Sequence, residues 1–129
     1  MLKTKKEIKT WLDYFGVNNY TIHDDLIVDV DESVFLAFLK IDEIPFQFGK
    51  VKGYFDISNN NLTSLIGSPF EVTSDANFSH NRLKSLQYCP KIIGADLLLG
   101  EHSDSFEQKG RPNEIEDLSL DDLPSSIGE

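Results

Sequence analysis

The chain has 129 residues, a net charge of −10 and a pI near 4.6. That balance disfavours direct binding to nucleic acid or to an anionic membrane, and suits docking on a basic or polar protein surface. Its single cysteine, Cys89, excludes an internal disulfide, and the Lys-rich start at Lys3, Lys5 and Lys6 lacks the apolar segment of a secretory signal, so one cytoplasmic domain is expected.

In chain order, Lys3 to Phe15 reads as an amphipathic helix. Ile8, Trp11, Leu12 and Phe15 fall at helical spacing, lysines fill the other face, and Gly16 supplies a stop. Residues 1–19 are therefore expected to form a helical cap over the first turn of whatever follows; the sharper alternative is a helix for a partner or a membrane surface. Tyr20 to Phe38 is strand-like and acidic, with Leu26, Val28 and Val30 alternating with Ile27, Asp29 and Asp31. Residues 20–50 are read as this acidic strand plus an aberrant first repeat.

The clear repeats are 51–71 and 72–92. A shift of 21 residues places Ile57 on Phe78, Asn60 on Asn81, Leu62 on Leu83, Leu65 on Leu86 and Pro69 on Pro90. Such a period marks a solenoid, in which each turn buries its apolar face by stacking on the next. Within one turn, Phe55 and Ile57 alternate with Tyr54, Asp56 and Ser58, the period of a strand buried on one face. An inward Asn60 then suits a bend, because its amide can pair main-chain groups that the turn leaves open. Run backwards, the register sets Val34 under Phe55, Leu36 under Ile57, Ile41 under Leu62 and Ile44 under Leu65, with Leu39 in the Asn slot and Phe46 and Phe48 filling the seam. Run forwards, Leu97 and Leu99 follow Ala76 and Phe78, after which the copy decays through His102 and Asp104. Residues 93–129 are read as decaying repeats or an acidic C-terminal cap. Nine acids against Lys109 and Arg111 lie within 101–129, a net of −7, and two readings stand: a closing strand over Ile115 to Leu123, with Leu118 and Leu120 in register, or a disordered acidic tail.

The pattern Phe55-x-Ile57-x-x-Asn60-x-Leu62-x-x-Leu65 resembles the leucine-rich repeat, in the version found in bacterial effectors and short bacteriophage proteins. It departs from that pattern at Lys52, where an inward leucine is usual; Val51, Val72 and Ile93 can do that work one residue earlier, beside a cramped column of Gly53, Ser74 and Ala95. The resemblance implies an α/β repeat: a curved solenoid with a parallel β-sheet on its concave side, an irregular convex side and a binding role.

Motifs for chemistry are scarce. His23, His80 and His102 lie on different turns and read as surface histidines, and Cys89 reads as a small core residue. Asp29, Asp31 and Glu32 lack the ligand count and glycine turn of a calcium loop and read as a charged strand face. No phosphate-binding glycine loop, zinc spacing or nucleophile motif is present, so no enzyme, cofactor or metal is expected. A partner face follows from stacked strands, whose outward side chains form columns about 4.8 Å apart. The columns are Tyr54, Asp75 and Asp96; Asp56, Asn77 and Leu98; Ser58, Ser79 and Gly100; with Asn59, His80 and Glu101 as the rim. The function expected is a non-catalytic protein-binding module, in concrete form a phage-encoded host-interaction or counter-defence factor. The alternatives are an acidic mimic of nucleic acid that blocks a DNA-binding protein, and a structural or assembly part of a virion.

Overall fold

The computed structural model describes residues 1–100. Within them the elements are α1 (Lys5–Tyr14), β1 (Tyr20–Ile22), β2 (Ile27–Val30), β3 (Val34–Phe35), β4 (Gln47–Val51), β5 (Phe55–Asp56), β6 (Glu71–Val72), β7 (Ala76–Asn77), β8 (Ile92–Ile93) and β9 (Leu97–Leu98).

The helix starts on a capping box. Thr4 Oγ1 accepts from the Glu7 N–H at 3.1 Å, and Glu7 Oε1 accepts from the N–H groups of Thr4 at 3.1 Å and Lys3 at 2.9 Å. Those donors, the Lys3 N–H foremost, hold the Glu7 carboxyl below its ordinary pKa. It ends on a Schellman motif: Gly16 (φ 77°) bonds Asp13 O and the Val17 N–H bonds Leu12 O at 2.9 Å. Ile8 and Leu12 are fully buried, and Trp11 sets its edge on Phe46 with ring centroids 5.2 Å apart. The helix thus covers the first turn through the residues its spacing marked. Outside the core, Asp13 joins it to β1, taking the Lys9 ammonium at 2.8 Å and the Tyr20 hydroxyl at 2.6 Å.

The rest is a β-solenoid of about three turns with two sheets, ordered β1-β2-β4-β6-β8 and β3-β5-β7-β9. Every pairing is parallel except β1 with β2. The 21-residue register appears directly in the ladders: Val34 opposes Phe55, Phe55 opposes Ala76 and Ala76 opposes Leu97. Ile41 and Ile44 are buried in the first turn as Leu62 and Leu65 are in the second. Asn60 and Asn81 tie each turn to the one before. Asn60 Oδ1 accepts from Leu39 N at 3.0 Å and Ile41 N at 2.9 Å, while its Nδ2 donates to Leu36 O at 2.8 Å and Ile57 O at 3.0 Å. Asn81 accepts from Leu62 N at 3.0 Å and donates to Ile57 O and Phe78 O. An aromatic spine runs through the middle, from Phe46 to Phe48 to Phe55 to Phe78, with centroid spacings of 4.8, 5.2 and 5.9 Å.

Three expectations change. Each turn carries two short strands where one was expected, because Val51, Val72 and Ile93 pair into a ladder of their own. The corner between the two strands passes Gly53 (φ 144°), where a Cβ would stand 2.3 Å from Ser33 Oγ; Ser74 and Ala95 occupy the same column with side chains, and in the last described turn the close approach falls one residue earlier, at Gly94, where a Cβ would stand 2.0 Å from Thr73 O. The Tyr20–Phe38 segment is a hairpin followed by β3, not one strand. Its turn closes where His23 N bonds Ile27 O at 2.9 Å and Asp25 Oδ1 accepts from Ile27 N, leaving Leu26 at φ 70° and outside the ladder. Leu39 remains 39 % exposed, since Asn60 satisfies its backbone from the next turn without burying its side chain. The readings of residues 101–129 lie outside the described residues.

Candidate partner-binding face

The face expected for a partner is the outer surface of the β3-β5-β7-β9 sheet. Parallel pairing at a fixed register aligns Phe35, Asp56, Asn77 and Leu98 in one column. The neighbouring column runs Ser33, Tyr54, Asp75 and Asp96, with the Tyr54 N–H on Ser33 Oγ at 2.9 Å and the Asp96 N–H on Asp75 Oδ1 at 2.9 Å. The rim column is Phe38, Asn59 and His80, all three in the left-handed region at φ 59°, 56° and 55°. Asparagine adopts that conformation readily, whereas phenylalanine rarely does.

Exposure separates these residues. Tyr54 is 47 % and Leu98 41 % exposed, Asp96 and His80 are exposed, and Asp56, Asn59, Asp75 and Asn77 are half-buried. Ser58 is a correction. It is buried at 4 % exposure, because the strand ends at Asp56 and the chain turns inward while Asp56 Oδ1 accepts from the Ser58 N–H at 3.0 Å. Asn77 repeats the device one turn on, its Oδ1 accepting from the N–H and hydroxyl of Ser79 at 3.0 and 2.6 Å. Asp56 and Asn77 therefore shape the turn as well as face outward. Glu101 lies outside the described residues.

The sequence reading missed the head of each column. Phe35 is 65 % and Phe38 75 % exposed, and both are fixed by the register that set Val34 under Phe55. Phe35 and Tyr54 stand side by side with ring centroids 6.4 Å apart and planes inclined by 37°. Beside them lies a hollow of about 220 Å³ lined by Phe35, Tyr54, Asp56, Asp75, Asn77 and Leu98. Asp56 and Asp75 each commit Oδ1 to a backbone N–H, and neither forms an ion pair among the described residues.

The acidic strand β2 is different. Asp29 Oδ1 accepts from Lys50 N at 2.7 Å and its Oδ2 meets His23 Nε2 at 2.8 Å, while Asp31 faces Lys52 at 3.4 Å. These carboxylates are engaged by protein groups, and among the described residues no three metal-ligating side chains gather. Among the same residues no helix is long and apolar enough to cross a membrane. Comparison with protein-family models, curated proteins and solved structures gave no match.

Proposed function

We propose that the chain is a non-catalytic protein-binding module whose partner docks on the β3-β5-β7-β9 face. The observation that carries this reading is the juxtaposition of exposed aromatic rings, Phe35 and Tyr54, with the carboxylates of Asp56 and Asp75, which form no ion pair among the described residues, around one hollow. A folded chain leaves large rings in water only at a cost, and buried aromatic anchors dominate interface energies. The half-exposed acids add attraction for a basic or polar partner surface. In its finer form the module is a short leucine-rich-repeat type with this face concave. The spacing Phe55-x-Ile57-x-x-Asn60-x-Leu62-x-x-Leu65 supports that form. The same resemblance favours a phage-encoded factor acting on a host protein in the host cytoplasm.

A second reading, mimicry of nucleic acid by charge, draws on the concentration of net charge −7 in residues 101–129. Affinity capture from the native host with mass spectrometry separates the two. Tyr54→Ala with Asp75→Lys should abolish capture of a partner held by the wild type, a loss of about 2 kcal/mol or more, with the fold intact. If capture instead survives that change, is lost on Asp121→Lys with Asp122→Lys, and falls steeply with salt, the acidic segment is the binding element.

A further inference from the structure

Resting on that reading of the face, we propose that the hollow beside Phe35 and Tyr54 seats one arginine side chain from an extended segment of the partner protein. Charge and shape both select this occupant. The hollow's volume of about 220 Å³ suits a single long side chain and leaves no room for a folded element. One wall is aromatic, formed by Phe35 and Tyr54, and Leu98 supplies apolar surface farther along the sheet. Asp56 and Asp75 line the same hollow, and each commits only Oδ1 to a backbone N–H, that of Ser58 at 3.0 Å and that of Asp96 in the next turn at 2.9 Å. A second oxygen on each carboxylate is left to accept. Among the described residues no lysine or arginine lines the hollow.

A guanidinium matches both halves of this lining. Its plane stacks on aromatic rings and sheds water more easily than an ammonium, and its forked N–H groups can reach two acceptors at once. Lysine offers a compact, strongly hydrated charge that can satisfy the carboxylates but gains little from the rings. The segment carrying the arginine is extended in this proposal, which lets its flanking side chains run along a sheet face where Phe38 and Leu98 are also exposed.

The test uses the full chain labelled with ¹⁵N and a flexible glycine–serine peptide with a central Leu-Arg-Leu core, followed by chemical-shift titration. The expected result is saturable shifts at Tyr54, Asp56 and Asp75, with affinity reduced about tenfold or more when citrulline, the neutral isostere, replaces arginine. Lysine in its place should bind more weakly than arginine. Two variants keep the fold while changing the site. Asp56→Asn with Asp75→Asn retains an acceptor for each backbone N–H and removes the charge; Tyr54→Leu retains apolar bulk and removes the ring. Both should weaken the arginine peptide, and the first should make the arginine and citrulline peptides bind alike.

Equal binding of arginine and citrulline to the wild type overturns the proposal in favour of a purely apolar contact. Equal binding of arginine and lysine reduces the site to a general cation attractor and overturns it as well. Shifts at these residues that follow protein concentration without peptide assign the face to a second copy of the chain. If no peptide binds while capture of the partner still depends on Tyr54 and Asp75, the arginine assignment fails and the docking face stands. Loss of both removes the two together.

Discussion

The two sheets of each turn treat their outward side chains in opposite ways. Along β2-β4-β6 the polar groups satisfy one another: Lys50 lies 3.8 Å from Glu71, Lys52 meets Asp31 at 3.4 Å, and the His23 ring nitrogen bonds Asp29 at 2.8 Å. Along β3-β5-β7-β9 the polar side chains accept from backbone N–H groups and one neighbouring hydroxyl, and two aromatic rings stand in solvent beside carboxylates. Both sheets close the same core with the same register, so the difference is not a requirement of the fold. A face that has neutralised itself has little left to offer a partner, whereas the other keeps both apolar area and charge in reserve.

The comparison can be broken most severely at the spine the two sheets share. Phe55→Ala removes the ring between Phe48 and Phe78 and should cost about 3–5 kcal/mol, disturbing both faces at once. A denaturant melt that shifts much less would mean that the turns collapse into the space. Next come the ties between turns. Asn60→Ala or Asn81→Ala strands buried N–H and C=O groups of two neighbouring turns and should cost roughly 1–3 kcal/mol each. Asn59→Ala should cost far less, and equal losses at Asn59 and Asn60 would contradict the inward role of Asn60.

A smaller effect sharpens the contrast directly. Lys50→Ala or Glu71→Ala breaks an exposed pair worth under about 1 kcal/mol and should leave partner capture unchanged. Capture lost on either change, with the melt intact, would place binding on the self-paired sheet. The mildest effect is acid sensitivity at the helix. Glu7 is held below its ordinary pKa chiefly by the Lys3 N–H, and Asp13 chiefly by the Lys9 ammonium. Both are depressed carboxylates, so their support is present above about pH 4, the unfolded value, and is lost as pH falls through the lower folded values. Fluorescence of Trp11, the single tryptophan, should report a small loosening of α1 over that acidic window, and Glu7→Gln should blunt it.

The sequence by itself determined the period, the inward asparagines and the identity of the core, because each repeats at a fixed spacing and a 21-residue shift exposes it. The strand's persistence into Leu97 followed from the same periodicity, and the burial of Ile8 and Leu12 from helical spacing. The capping box from Thr4 to Glu7 was missed in the sequence, although a threonine three residues ahead of a glutamate is its signal.

What only the tertiary structure decided is how a turn bends and which side chains it exposes. Val51 could be seen to point inward, but whether it merely fills space or pairs with Val72 in a second sheet depends on the corner at Gly53, which forms against Ser33 of the preceding turn. Alternation along the strand put Ser58 outside; the Asp56 side chain ends the strand early and brings Ser58 in. Phe35 and Phe38 look like core residues in composition, and the register alone places them beside Tyr54 and Asn59 on the outer face. Local periodicity sets which residues share a column. The direction a column faces is fixed by contacts between turns, and those lie 21 residues apart in the chain.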